Sequence, residues 1–172
     1  MSSKKIILSK LNTQKPPTLR YQIPSTIYDN LLEVFNTNLQ NAGGKLYINK
    51  EISHIYPKCK QIIDTTKSIS YEEYDLEKTD LLILQGSFAI AQNGSIWIDT
   101  KDYPKELITL TKHIAVLLNK NHILSNMKEA YEQIDFTQIS TGIFLSGPSK
   151  TADIEQALVI GAHGAISLSV IL

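Results

Sequence analysis

The chain has 172 residues, of which 42% are hydrophobic and 20% charged, with 17 basic side chains against 17 acidic ones. This length suits one domain and buries roughly 70% of the unfolded surface without staples. A zero net charge carries no general basic face, which argues against a nucleic-acid binder or an anionic-membrane binder.

One cysteine, Cys59, excludes an internal disulfide, an iron–sulfur cluster and a cysteine-based zinc site. It fits a reducing, cytoplasmic setting. His54, His113, His122 and His163 are not at metal-ligand spacing, so neither a metal nor a cofactor is expected. No run approaches the ~20 apolar residues of a membrane span. Ile6-Ile7-Leu8 is too short for the apolar region of a secretory signal.

In chain order, residues 1–23 read as a poorly ordered or loosely docked arm, and 24–172 as a single domain. Pro16-Pro17 within the arm and Pro24 just after it interrupt any helix here. Thr26-x-x-Asp29 opens a helix whose Ile27, Leu31, Val34, Phe35 and Leu39 share a face, with Gly43-Gly44 as its C-terminal stop. Lys45 to Asn49 is a short strand. Glu51 to Lys67 reads as mostly helical with a kink at Pro57, and Ser68 to Tyr71 as a strand. Leu81 to Leu84 is an apolar run suited to a strand buried on both faces.

Phe88 to Ala91 and Ile96 to Asp99 flank Asn93-Gly94, a strong hairpin signal. Pro104 to Thr109 is a short helix, and His113 to Leu118 a further buried strand. Ser125 caps a helix that runs to Ile134. Gly142 to Leu145 and Ser167 to Ile171 complete the sheet. Alternating strands and helices give an α/β fold with a mostly parallel sheet.

Familiar catalytic machinery is missing from the sequence. There is no dinucleotide-binding G-x-G-x-x-G, no G-x-x-x-x-G-K-[ST] and no G-x-S-x-G. Two segments remain as candidate ligand sites; no catalytic residue is assigned, although Asp153 and Glu155 are of the type that works as acid or base or that orients Lys150 and His163. The first is Gly86, Ser87, Gln92, Asn93, Gly94 and Ser95, whose backbone and hydroxyls suit a small anion. The second runs from Gly147 through Ser149, Lys150, Thr151, Asp153 and Glu155 to His163 and Gly164. It reads as a rigid polar loop at the end of a buried strand, with Lys150 as a point charge and Asp153 holding the loop through backbone N–H groups. The two segments are expected side by side at one edge of the sheet.

Ser146-Gly147-Pro148-Ser149-Lys150-Thr151-Ala152-Asp153-Ile154-Glu155-Gln156, followed by Gly161-Ala162-His163-Gly164, closely resembles the C-terminal signature of the LutC/YkgG lactate-utilisation family, also called LUD-domain proteins. Gly86 to Ala91 resembles that family's second motif, and His113 to Val116 its later strand. The likeness covers most of the chain from about Leu81 onward.

The resemblance implies a three-layer α/β/α sandwich like that of the NagB/RpiA/CoA-transferase superfamily. It also implies a part in oxidising L-lactate to pyruvate beside two partner proteins, one bearing iron–sulfur clusters. Two departures stand out. Gln92-Asn93-Gly94-Ser95 occupies the place of the family's Glu-Thr-Gly-Thr, and an amide can neither act as base nor form an acyl intermediate. Ala165 stands where the family has proline. The reading is therefore an accessory subunit of a lactate-oxidising system. The alternative is an enzyme or sensor that binds a carboxylate, a sugar phosphate or a CoA-like group, and a third is a small α/β protein with an unrelated regulatory partner.

Overall fold

Three apolar runs form the centre of a five-stranded parallel sheet. The computed structural model describes residues 28–68, 70–71, 74–137, 141–154 and 157–172, with the backbone alone for 152–154 and 157–158. The expected arm at 1–23, together with Thr26 and Ile27, lies outside the described residues. The sheet consists of β1 (Lys45–Tyr47), β2 (Ile62–Asp64), β3 (Leu81–Gln85), β6 (His113–Leu117) and β11 (Ser167–Ile171), in the order β1-β11-β6-β3-β2.

Both faces of the sheet are covered, which is why its strands read as unbroken apolar runs. On one face Leu82, Leu84, Ile114, Val116, Leu168 and Val170 pack with Phe35 and Leu39 of α1 (Leu31–Asn41) and with Leu107 of α3 (Leu107–Leu110). On the other, Leu81, Ile83, Ala115 and Ile171 lie under Ile52 and Ile55 of the one-turn helix α2 (Ile52–Ile55) and under Tyr56. The expected α/β fold, a mostly parallel sheet flanked by helices, is the one observed.

A second sheet lies in the α1 layer. It comprises β4 (Phe88–Ile90), β5 (Ser95–Asp99), β7 (Ile123–Leu124) and β8 (Gly142–Leu145), in the order β7-β4-β5-β8. β4 and β5 form the expected antiparallel hairpin, with Gly94 at φ 68° in its turn. Asn93 Oδ1 closes the turn by accepting from Ser95 N at 3.1 Å and from Ser95 Oγ at 2.6 Å. β8 belongs here and not to the parallel sheet, for it pairs antiparallel with β5. Trp97 explains the placement. Its ring stands 4.7 Å from that of Phe144, and its Cζ2 would lie 2.2 Å from any Cβ at Gly142, so only glycine fits under it. Helix α4 (Met127–Gln133) covers this sheet through Ala130, next to Ile134.

Several local elements differ from the sequence reading. The cap of α1 is Asn30, whose side chain accepts from Glu33 N. Most of Glu51–Lys67 is not helix. One turn ends at Ile55, and Ile62 and Ile63 pair with Leu81 and Leu82 as an edge strand, with Ile63 fully buried. No strand forms at the described positions of 68–71. α3 starts three residues after Pro104, and Asn126 rather than Ser125 caps α4 by accepting from Glu129 N. The polar loop expected after Gly147 is a second hairpin, in which β9 (Lys150–Ile154) pairs antiparallel with β10 (Ala157–Ile160).

Candidate functional site

Five strands pointing one way give the sheet a carboxyl edge and an amino edge. Gly86 and Ser87 follow β3 at the carboxyl edge, where Gly86 N donates to Leu117 O at 2.8 Å. The signature segment comes to the opposite edge. Ile166 N donates to Lys112 O at 2.8 Å, just before β11 and β6 begin. Ser149 N donates to Ala165 O at 2.8 Å, and Gly161 N to Ser149 O at 2.9 Å. The single shared edge expected for Gly86–Ser95 and Ser149–Glu155 is therefore not what the fold provides.

Part of the first segment does reach the signature. The β4–β5 hairpin carries its turn to the C-terminal end of α1. There Asn38 Nδ2 donates to Ala91 O at 2.8 Å and to Gln92 O at 3.2 Å. A Cβ at Gly94 would lie 2.4 Å from Leu39 N, and one at Gly147 2.3 Å from Ala42 O. Both glycines have positive φ, 68° and 105°. They allow the turn and the signature to seat directly on the helix backbone. Ser146 Oγ then donates to Asn93 O at 3.1 Å.

Several candidate side chains have structural partners. Ser95 is buried and spends its hydroxyl on Asn93. Gln92 Oε1 accepts from Met127 N at 3.2 Å, at the start of α4. Exposed Lys150 lies across the end of α1, its Nζ 3.3 Å from where a Cβ at Gly43 would stand. A cation is favourable at that negative end of the helix dipole. Thr151 is half-buried in β9, and Asp153 also lies in β9 rather than in a loop. Glu155 lies outside the described residues.

His163 and Gly164 open into a groove of about 470 Å³ at the amino edge, shared with Thr109, Thr111, Lys112 and Ile166. A Cβ at Gly164 would stand 3.2 Å from Ser149 Cβ, which brings those two candidates together. Lys112 Nζ reaches Asp80 Oδ1 at 2.8 Å, and Asp80 also accepts from Lys60 N and Gln61 N. The Lys112 ammonium, with these two N–H groups, holds the Asp80 carboxyl well below the usual carboxylate range. Asp80 in turn raises Lys112.

Two other clusters stand out, and of their members sequence reasoning named only Ser87 as a candidate. At the start of β6 and β11, His113 Nδ1 lies 2.8 Å from Ser167 Oγ, and Tyr56 OH donates to Ser169 Oγ at 2.7 Å. The Tyr56 and His113 rings are 5.3 Å apart. Burial lowers His113 below its ordinary value and raises Tyr56. At the carboxyl edge, Ser87 shares a cavity of about 350 Å³ with Trp97, Asp99 and His122. No spacing in the chain marks these residues as neighbours, because β5 and the turn before β7 bring them together. Among the described residues, no group of three or more His, Cys, Asp or Glu is placed to hold a metal. No helix among them is long and apolar enough to cross a membrane.

The family model for the LUD domain matches residues 32–172. Lactate utilization protein C of Oceanobacillus iheyensis is 27% identical over 103 residues, and the protein of that name from Bacillus subtilis 27% over 104. The Anoxybacillus flavithermus protein of the same name is 26% identical over 98 residues. Each match covers 56% of this chain but only 43–44% of the relative, so the likeness spans less than half of those proteins. Among solved structures, a DUF162 family protein from Deinococcus radiodurans superposes with a TM-score of 0.61 at 14% identity, covering 82% of this chain and 94% of that one. At that identity the superposition speaks for the fold.

Proposed function

Because the chain belongs to the LUD-domain family, we propose that it is an accessory subunit of an L-lactate utilisation system, acting beside iron–sulfur proteins that carry the electrons. The observation behind this reading is the name shared by three relatives from three bacteria, each called Lactate utilization protein C. The chemistry of the chain agrees with a division of labour. Oxidising lactate to pyruvate releases two electrons, and a single cysteine offers no cluster to receive them. The family's glutamate is Gln92 here, and its amide oxygen is engaged with Met127 N. Deleting the gene should abolish or slow growth on L-lactate and leave growth on pyruvate unchanged. Undiminished growth on lactate would refute the proposal.

A second reading rests on the amino-edge groove. Lys112, His163, Thr109 and Thr111 line it with donors suited to a small anion such as a carboxylate, a sugar phosphate or a CoA-like group. Lys150 and Ser149, beside the same loop, add a charge and a hydroxyl. Calorimetry with L-lactate, inorganic phosphate and CoA is the direct test. Lys150→Ala should weaken any binding and leave the melting temperature nearly unchanged, because an exposed lysine contributes little stability. Heat-silent titrations with all three would remove this reading and leave the first untouched.

A further inference from the structure

The carboxyl-edge cavity has a chemistry opposite to that expected for an anion. Asp99 is the one carboxylate among the described residues that line it, and no lysine or arginine joins it. Asp99 Oδ1 accepts from Lys101 N at 3.0 Å, and Lys101 Nζ forms a surface ion pair with Oδ2 at 3.6 Å, too long for a hydrogen bond. The Lys101 side chain is 55% exposed and that of Asp99 22%, so the carboxylate faces the protein more than its partner does.

His122 adds a second acceptor. Its Nδ1 lies 3.2 Å from the carbonyl oxygen of Ser87. A carbonyl oxygen only accepts, so Nδ1 carries the proton, and in the neutral ring Nε2 is the acceptor. Gln133 contributes an amide, and Trp97 and Ile134 supply an apolar wall. A volume of about 350 Å³ falls in the range of small-ligand sites.

A carboxylate, an imidazole lone pair and an aromatic wall together suit an N–H donor carrying positive charge on an apolar body. From this we propose that the cavity binds a small organic cation, a primary ammonium compound, with its N–H groups on Asp99 and His122 and its apolar part against Trp97. An anion such as lactate would meet the Asp99 charge there. Ser87 thus serves a site of opposite polarity to the one its glycine-hydroxyl motif suggests.

The chain contains a single tryptophan, Trp97, so its own fluorescence reports on the cavity. Benzylammonium, benzoate and benzyl alcohol share one ring and differ in charge, and each is titrated into the full-length protein. Benzylammonium should change the emission saturably below about 10 mM, and benzoate should not. Asp99→Asn keeps an Oδ1 acceptor for Lys101 N but removes the charge, and should weaken benzylammonium about tenfold or more. Three results each overturn the proposal: no saturable response to benzylammonium, benzoate binding as tightly as benzylammonium, or unchanged affinity in a folded Asp99→Asn variant. If that variant does not fold by circular dichroism, the wild-type preference between benzylammonium and benzoate decides.

Discussion

The hydroxyl of Ser146 donates to the carbonyl oxygen of Asn93 across 3.1 Å, joining the signature to a turn 53 residues earlier in the chain. Both stand on the last turn of α1, which Gly94 and Gly147 approach too closely for any side chain. The site-bearing segments are therefore anchored through the backbone of a helix that carries none of the candidate ligand residues.

That anchoring sets an order of mutational cost. Ser146→Ala removes one exposed hydrogen bond and should cost about 0.5–1 kcal/mol. Gly147→Ala places a Cβ 2.3 Å from Ala42 O at φ 105°, and should cost about 2–4 kcal/mol. Urea midpoints of the two variants measure the difference. Equal midpoints would mean that the signature is not seated on α1.

Gln92 stands where the resemblance implies a glutamate. Its Oε1 accepts from Met127 N, and a carboxylate in that place could accept equally well. Gln92→Glu should leave stability within about 0.5 kcal/mol of the parent. Gln92→Leu should lower it by about 1 kcal/mol, since an acceptor is lost. A thermal melt in which Glu is as damaging as Leu would contradict this role.

Asp80 makes the amino edge sensitive to acid. Its carboxyl is held down by Lys112 and by the N–H groups of Lys60 and Gln61, so its folded value lies below the ordinary 3.8. A depressed carboxylate contributes stability above its unfolded value, and that contribution disappears as pH falls through the folded one. Asp80→Asn should be less stable than the parent at pH 7, and the gap should close as pH drops below about 4. A gap that stays constant with pH would show that the ionised carboxylate is not its source.

His113 gives a second pH dependence, in a higher window. Burial favours its neutral form, so in the fold it binds a proton less readily than the ordinary value of 6.5 implies. The unfolded chain then takes up more protons as pH falls below that value, and stability falls with it. His113→Asn should flatten the decline between about pH 7 and pH 5. Denaturation midpoints across that interval are the measurement, and an equal slope in both proteins would exclude His113.

Features governed by neighbours in sequence were legible in advance. Leu81–Leu84 reads as a buried strand because each of its residues needs cover on one of two covered faces. Asn93-Gly94 reads as a turn because its own side chains and φ angles make it. Choices of partner were less visible. Gly142–Leu145 is apolar enough for either sheet, and only the fit of Gly142 beneath Trp97 decides. Ile62 and Ile63 lie among residues that suit a helix, yet the open edge of β3 recruits them. For the same reason Ser87 could be recognised as part of a motif, while Asp99 and His122, which give its cavity a charge and an acceptor, could not.

The place of β11 has a consequence for how the chain assembles. It lies between β1 and β6, so Lys45 finds its partner, Ser169, only after more than 120 intervening residues have been made. During synthesis β1 has no described strand beside it, and the flank of β6 that will receive Ser167–Ile171 stays open. Pairing at such separation is slow, and an unpaired strand flank is a template for association with other chains. The nascent protein is therefore most exposed to aggregation, and most dependent on chaperones, in the interval before Val170 reaches the slot between Leu46 and Val116.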